Sequence, residues 1–233
     1  MTVTLIIPAL NEEKYLPQTL ESIKQLERQP DELIVVNAQS DDKTEQIAKS
    51  YGAKIVTVDR RSIGYSRNQG LKAATGDIVA FTDADTILPA NWLSTILMYF
   101  ETHHVAGVFG GFRVPDGPWW YKLYINGFQP VANAVTYALT RIPFATGQNM
   151  AFYRKNALAA GGFPEDFKIA EDIEIARRVM STGPIFFSQW FFVTASGRRG
   201  NEGLFQLIAR SFTAFFYYFI YRKADKVGFP NMR

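Results

Sequence analysis

The chain has 233 residues, 47% of them hydrophobic, which is enough for a sizeable core and for one globular unit with or without an appendage. Its formal charge is only +3, and the first two hundred residues hold no long basic run interleaved with aromatics, so a nucleic-acid surface is not expected. The absence of cysteine excludes disulfides, thiolate metal sites and a cysteine nucleophile, and fits a reducing compartment.

The opening "MTVTLIIPALNEE" has no basic leader and its apolar run breaks at Pro8, so it reads as a first strand and not as a signal peptide. An amphipathic helix is predicted over 12–26, with Leu16, Leu20, Ile23 and Leu26 on one face, followed by the strand "ELIVV". Ser40 is placed to cap the next helix, with Asp41 and Asp42 at its positive end. "KIVTV", a helical stretch near 64–74 and "DIVAFTD" complete a β-α-β-α-β-α-β series. Buried parallel strands need near-continuous apolar runs and their crossovers need amphipathic helices, so the order implies an α/β sheet. Ligands of such sheets sit beyond the carboxyl ends of the strands, here at "PALNEE", "NAQSDD" and "DAD".

After residue 100 the alternation weakens. "VAGVFGGFRV" reads as a strand, 118–140 as an aromatic-rich helical region, "NMAFY" as a strand, "EDIEIARRVMS" as a helix and "IFFSQWFFVT" as a strand. His103 and His104 lie at a predicted helix end, belong to no motif and read as surface or cap residues. From 204 the spacing of Leu204, Leu207, Ile208, Phe212, Phe215, Phe216 and Phe219 makes one apolar face, opposite Gln206, Arg210, Thr213 and Tyr217. Arg210 makes this stretch too polar for a span, whereas the aromatics and flanking Arg222, Lys223 and Lys226 suit a helix lying in an anionic membrane interface, with packing on protein as the alternative.

The acids of "FTDADT" admit two chemistries: a cation that grips a diphosphate, or an aspartyl nucleophile in a phosphatase of the haloacid-dehalogenase type. In the phosphatase pattern the motif opens the catalytic domain, whereas here a full β-α-β-α-β-α series precedes it. If the strand stays extended, Asp83 and Asp85 share a side and can meet one hard cation.

Four segments in order resemble the inverting glycosyltransferase family 2: "PALNEE", "VVNAQSDDKT", "GYSRNQGLKAATGDIVAFTDADT" and "ATGQNMAFYRKNALAAGGFPEDFKIAEDIEIARRV". The match runs from Val3 to about Gly203. It implies a GT-A fold, a Rossmann-like, mostly parallel sheet flanked by helices, with a glycosyltransferase domain over 1–203 (a nucleotide-sugar-binding half, 1–100, and an acceptor-side half, 101–203) and the amphipathic tail over 204–233.

The resemblance also assigns roles. Asp85 would bind a divalent cation, Mn2+ or Mg2+, directly, with Asp83 second, and Ala84 lies between them at the nucleotide sugar. Pro8, Ala9 and Glu12 would frame base and ribose, with Arg67 beside the nucleotide. Asn37 stands where the family usually has Asp accepting a base hydrogen, and Gln39 replaces a common Gly, which leaves the base, UDP- or GDP-linked, open. Gln148 would lie near donor and acceptor, and Arg198 and Arg199 would fold over the diphosphate or grip an anionic acceptor. Asp172 would be the general base that activates an acceptor hydroxyl, oriented by Glu171. The late His that some relatives use as a metal ligand is missing, so water and diphosphate oxygens would complete the shell.

The implied function is metal-dependent transfer of a sugar, of the hexosyltransferase type, to a lipid-linked, polyprenyl-phosphate or glycan acceptor. A phosphate acceptor would need the base less. The expected setting is the cytoplasm at the inner face of the cell membrane, with peripheral contact through 204–221. A non-catalytic nucleotide-sugar-binding protein and a nucleotidyltransferase are the other readings.

Overall fold

The computed structural model describes residues 1–142, 147–167, 170–206 and 209. The first half follows the predicted alternation: β1 (Val3–Ala9), α1 (Leu16–Lys24), β2 (Glu32–Asn37), α2 (Thr44–Ser50), β3 (Lys54–Thr57), α3 (Ile63–Ala73) and β4 (Ile78–Phe81). A short β5 (Thr86–Ile87), α4 (Trp92–His103) and β6 (Gly107–Arg113) follow. Next come α5 (Trp119–Leu123), a π-turn over Tyr124–Phe128, and α6 (Gln129–Thr140). The described chain continues through β7 (Met150–Tyr153), α7 (Arg154–Ala159), α8 (Glu171–Val179) and β8 (Ile185–Ala195), and then a 3-10 segment over Gly197–Glu202.

The eight strands form one sheet in the order β3-β2-β1-β4-β7-β6-β8-β5. β1 to β4 run parallel, and β7 enters antiparallel between β4 and β6. Every residue of β1 is buried, because helices cover both faces of the sheet. Val3, Leu5 and Ile7 face one apolar cluster with α1 and α4, whereas Ile6 faces the other with α3 and α8. β8 is bulged: Gly110 and Gly111 of β6 pair with Ser188 and Phe192, so three residues of β8 lie between adjacent pairs.

Two local expectations differ from the structure. Ser40 does not cap α2; its hydroxyl accepts from the Asn11 N–H at 3.0 Å, and Asp42 instead accepts from the Thr44 N–H at 2.9 Å where the helix begins. β4 ends at Phe81 and the chain turns at Ala84–Asp85, so the strand parity invoked for the two aspartates does not apply. The predicted halves 1–100 and 101–203 share a sheet, since β7 joins β4 to β6. His103 ends α4, stacked on Phe186 at 4.4 Å, and His104 adopts the left-handed cap. The predicted tail helix begins at Leu204, but beyond Gln206 it lies outside the described residues except for Ala209.

Candidate active site

β1, β2 and β4 are parallel and in register, so their carboxyl ends place the loops carrying Glu12, Asn37 and Asp83–Asp85 along one edge of the sheet. Pro8 and Ala9 are buried at the end of β1, with Ala9 opposite Asn37. The loop after β1 is fixed by its backbone: the Glu12 N–H donates to Thr44 Oγ1 at 2.8 Å, which leaves the Glu12 carboxylate pointing into the protein and 1% exposed.

Two arginines organise the acids. Arg67, buried on α3, donates from Nη2 to Asp83 at 2.7 Å and from Nη1 to Glu171 at the start of α8. Burial opposes its charge, but Asp83, Glu171 and Asp172 outweigh this and raise its pKa. Among the described residues its Nε has no hydrogen-bond partner. A Cβ on Gly147 would collide with this guanidinium and displace it from Asp83 and Glu171.

Arg198 approaches from the far end of the sequence. Its Nη1 and Nη2 donate to the two Glu12 carboxylate oxygens at 2.9 and 2.8 Å, and Nη2 also pairs with Asp85 at 2.9 Å. Its guanidinium carbon lies 4.6 Å from the Tyr15 ring centroid. The sequence brings these residues together across 186 positions because Ser196, just beyond β8, donates its N–H to the Asp85 carbonyl. Burial raises the Asp85 pKa, Arg198 and Arg199 counter it, and Asp83 adds to it.

The Glu171–Asp172 pair lies at the start of α8, joined to Asp83 through Arg67. Asp172 accepts from the Gly147 N–H and from the Ile173 N–H, each at 2.9 Å. Burial pushes both acids up, Glu171 to about 7 with the Asp172 charge as the next cause, while Arg67 opposes the rise. Gln148 is buried and accepts from Thr86 Oγ1 at 3.0 Å. A cavity of about 120 Å3 beside Asp85 is lined by Tyr15, Thr19, Asp116 and Ser196 among others. A larger cleft of about 510 Å3, between α3, α7 and 161–167, contains none of the predicted site residues.

The predicted residues thus gather in one place, with a division of labour that sequence reasoning missed. Asp83 and Asp85 do not face one point; each is matched to a different arginine. Asn37 is engaged internally, accepting from the Ser40 N–H at 3.0 Å and donating to Glu45 at 2.9 Å. Gln39 has φ 56°, the left-handed conformation that explains why glycine is common at that position of the motif. Ala84 is buried and its carbonyl accepts from Thr19 Oγ1 at 2.8 Å. Tyr15, Thr44, Gly147 and Asp116 were not singled out. "TGQN" was a signal for Gly147, but nothing in the spacing announced Tyr15.

The overall architecture matches solved structures. A mannosyltransferase from Pyrobaculum calidifontis, in complex with GDP-mannose and Mn2+, superposes with a TM-score of 0.69 at 24% identity, covering 83% of this chain and 56% of that one; this likeness shows the expected GT-A fold. Among curated proteins, a 4,4'-diaponeurosporenoate glycosyltransferase of Staphylococcus aureus is 33% identical over 144 residues, 58% of this chain and 36% of the relative. An O-antigen chain rhamnosyltransferase of Salmonella typhimurium is 25% identical over 195 residues, 78% of this chain and 62% of the relative. The chain therefore spans between about a third and two thirds of the length of these relatives. The model of glycosyl transferase family 2 matches residues 4–162, more than half of the sequence and including all of β1 but Val3, the Asp83–Asp85 turn and β7. With its motifs in order and its strands in the GT-A arrangement, this chain belongs to glycosyl transferase family 2.

Proposed function

We propose that the protein transfers a sugar from a nucleoside diphosphate sugar to an acceptor, with inversion and with a divalent cation. The observation that carries this reading is the joining of two acidic groups by one buried arginine: Arg67 links Asp83, beside Asp85 and Glu12 at the strand ends, to Glu171, beside Asp172 on α8.

The residues fit a hard cation, because Asp85 offers carboxylate oxygen in a buried setting already matched to a positive charge, that of Arg198. Asp85 would hold the ion, joined by Asp83 only if that side chain turns from Arg67; the ion when bound would supply charge neutralisation for the departing diphosphate. Arg198 can turn from Glu12 and Asp85 to phosphate oxygens, since its planar fork suits both. Arg67 holds Asp83 and Glu171 in place. Asp172, anchored through Gly147, accepts the proton of the acceptor hydroxyl as the new bond to the anomeric carbon forms and the sugar–phosphate bond breaks on the opposite side.

The acceptor class we infer is a lipid-linked or glycan hydroxyl, or a polyprenyl phosphate. The relatives named for an O-antigen chain and for 4,4'-diaponeurosporenoate support glycan and lipid acceptors respectively. Residues 204–221 would add peripheral contact with the inner membrane face. Among the described residues no helix is long and apolar enough to cross a membrane.

Thermal-shift screening of UDP- and GDP-sugars with Mn2+ or Mg2+ tests the donor, because a ligand that prefers the folded state raises the melting point. A donor should raise it with cation and much less without, and Asp85→Ala should abolish the shift. Asp172→Asn should lower turnover of a hydroxyl acceptor by roughly 10²- to 10⁴-fold while sparing donor binding. Release of pyrophosphate in place of nucleoside diphosphate would replace the proposal with nucleotidyl transfer.

A further inference from the structure

α5, the π-turn and α6 form one uninterrupted helical rod over 119–140, since the junction residues Leu123, Tyr124, Phe128 and Gln129 all keep right-handed helical dihedrals. Its underside is anchored: Tyr121 and Ile125 are buried, and the Tyr137 hydroxyl donates to the Ile185 carbonyl at 2.7 Å. Its other side is apolar and bare. Trp119, Leu123, Phe128, Val131, Val135 and Leu139 are between 53% and 80% exposed. Their spacing is helical throughout except for the five-residue step from Leu123 to Phe128, which spans the π-turn. Pro130, which has no N–H to continue the ladder, follows directly, and the extra residue keeps Phe128 in line with Leu123. The result is a ridge about 30 Å long, larger than the scattered apolar exposure of an ordinary surface.

Charge identifies what covers it. From Gly117 to Arg141, the stretch that forms the ridge and its ends, the sequence contains no acid, whereas Lys122 and Arg141 are basic. The aromatic members stand at one end of the ridge and the aliphatic ones at the other. A Cβ on Gly200 would touch Pro118 and Tyr121, so the chain leaves the described fold beside the first residue of the ridge. It continues into 203–224, a second stretch without any acid. An exposed apolar ridge with no acid and with Lys122 and Arg141 in its sequence suits an anionic lipid surface, with apolar residues sunk at the headgroup boundary.

We propose that the 119–139 face of the folded domain itself, and not only the segment after it, docks on an anionic bilayer. This stands independently of the transfer reaction, since none of its residues belongs to the acidic site.

The test is flotation of the full chain with phosphatidylcholine vesicles containing or lacking phosphatidylglycerol. Wild type should float with the anionic vesicles, and a variant carrying Leu123→Glu, Val131→Glu and Leu139→Glu should lose partitioning by roughly tenfold or more while keeping its circular dichroism. As a milder probe, brominated phosphatidylcholine mixed with phosphatidylglycerol should quench tryptophan fluorescence, and Trp119→Phe should remove most of that quenching. Equal flotation of the triple variant, or undiminished quenching in Trp119→Phe, overturns the proposal. So does a lipid-free chain whose Trp119 is shielded from acrylamide, which would mean that its own tail covers the ridge, or one that sediments as a dimer and dissociates in the triple variant. Donor binding in the thermal-shift assay should be unchanged in these variants, which separates failure here from failure of the proposed activity.

Discussion

Arg198 is paired with Asp85, the acid proposed to hold the cation, and with Glu12 beside it. Its bidentate contact with Glu12 and its pair with Asp85 mean that a metal ion entering alone must compete with a guanidinium already in place. Arg198→Ala should therefore tighten binding of Mn2+ alone, read by electron paramagnetic resonance of the free ion, by roughly an order of magnitude for each 1.4 kcal/mol of competition removed. The same variant should weaken binding of the nucleoside diphosphate sugar, because the fork proposed to turn to its phosphates is gone. Looser metal binding in Arg198→Ala would show that the arginine supports the cation and does not oppose it.

The buried acids also set a pH signature. Glu171 is raised from 4.5 to about 7, so the folded state binds its proton more tightly than the unfolded chain does. The stability this contributes is present below pH 4.5 and is lost as pH rises through about 7. Glu32 acts in a different window: burial would raise it, but hydrogen bonds from Thr4, Thr75 and Lys54 lower it from 4.5 to about 2, and its contribution is lost only as pH falls towards that value. In ligand-free melts the melting temperature should decline between pH 4.5 and about 7, and Glu171→Gln should flatten the decline. The acids themselves were legible in the sequence because the motif carried them. Their pairing with Arg67 and Arg198 was not, since each pair closes over a separation that only the fold brings together.

At the scale of elements, α3 shows what its glycines do. A Cβ on Gly70 would lie 2.5 Å from Ile6 Cγ2 and 3.0 Å from Val36 Cγ2, so the helix rests directly on β1 and β2. A Cβ on Gly64 would meet the Pro164 carbonyl. The helix is thereby held at the height at which Arg67 reaches both Asp83 and Glu171. Gly70→Val should cost about 1–3 kcal/mol in denaturant unfolding, and should weaken donor binding more than a surface substitution of equal cost. The alternation of apolar runs and amphipathic helices made this half readable, because the central parallel strands β1 and β4 are buried on both faces. The second half was readable as elements but not as neighbours. Nothing in "NMAFY" says that it enters between β4 and β6, and the two-residue β5 is too short to carry a periodicity. The end of β4 at Phe81 was hidden for a related reason: "FTDADT" alternates like a strand, yet a turn at Ala84–Asp85 sends its acids to separate partners.

For the molecule as a whole, the insertion of β7 makes the two predicted halves parts of one cooperative structure. β4 pairs with β7 along Ile78–Phe81, and β7 pairs with β6, so neither the strands of 1–100 nor those of 101–203 can lose their order without exposing a central sheet edge of the other. The site itself straddles the division, with Glu12 and Asp85 on one side of it and Arg198 on the other. Denaturant unfolding should accordingly give one transition, coincident by circular dichroism and by fluorescence of Trp92, which is buried and donates through Nε1 to Asn149 at 2.9 Å across the division. Residues 1–100 expressed alone should be largely unfolded, because β4 would present an apolar edge where β7 belongs. Two separated transitions, or a folded fragment 1–100, would mean that the nucleotide-side strands form an autonomous unit. In that case the arginine and acid contacts across the division would be a docking interface between two bodies and not the interior of one.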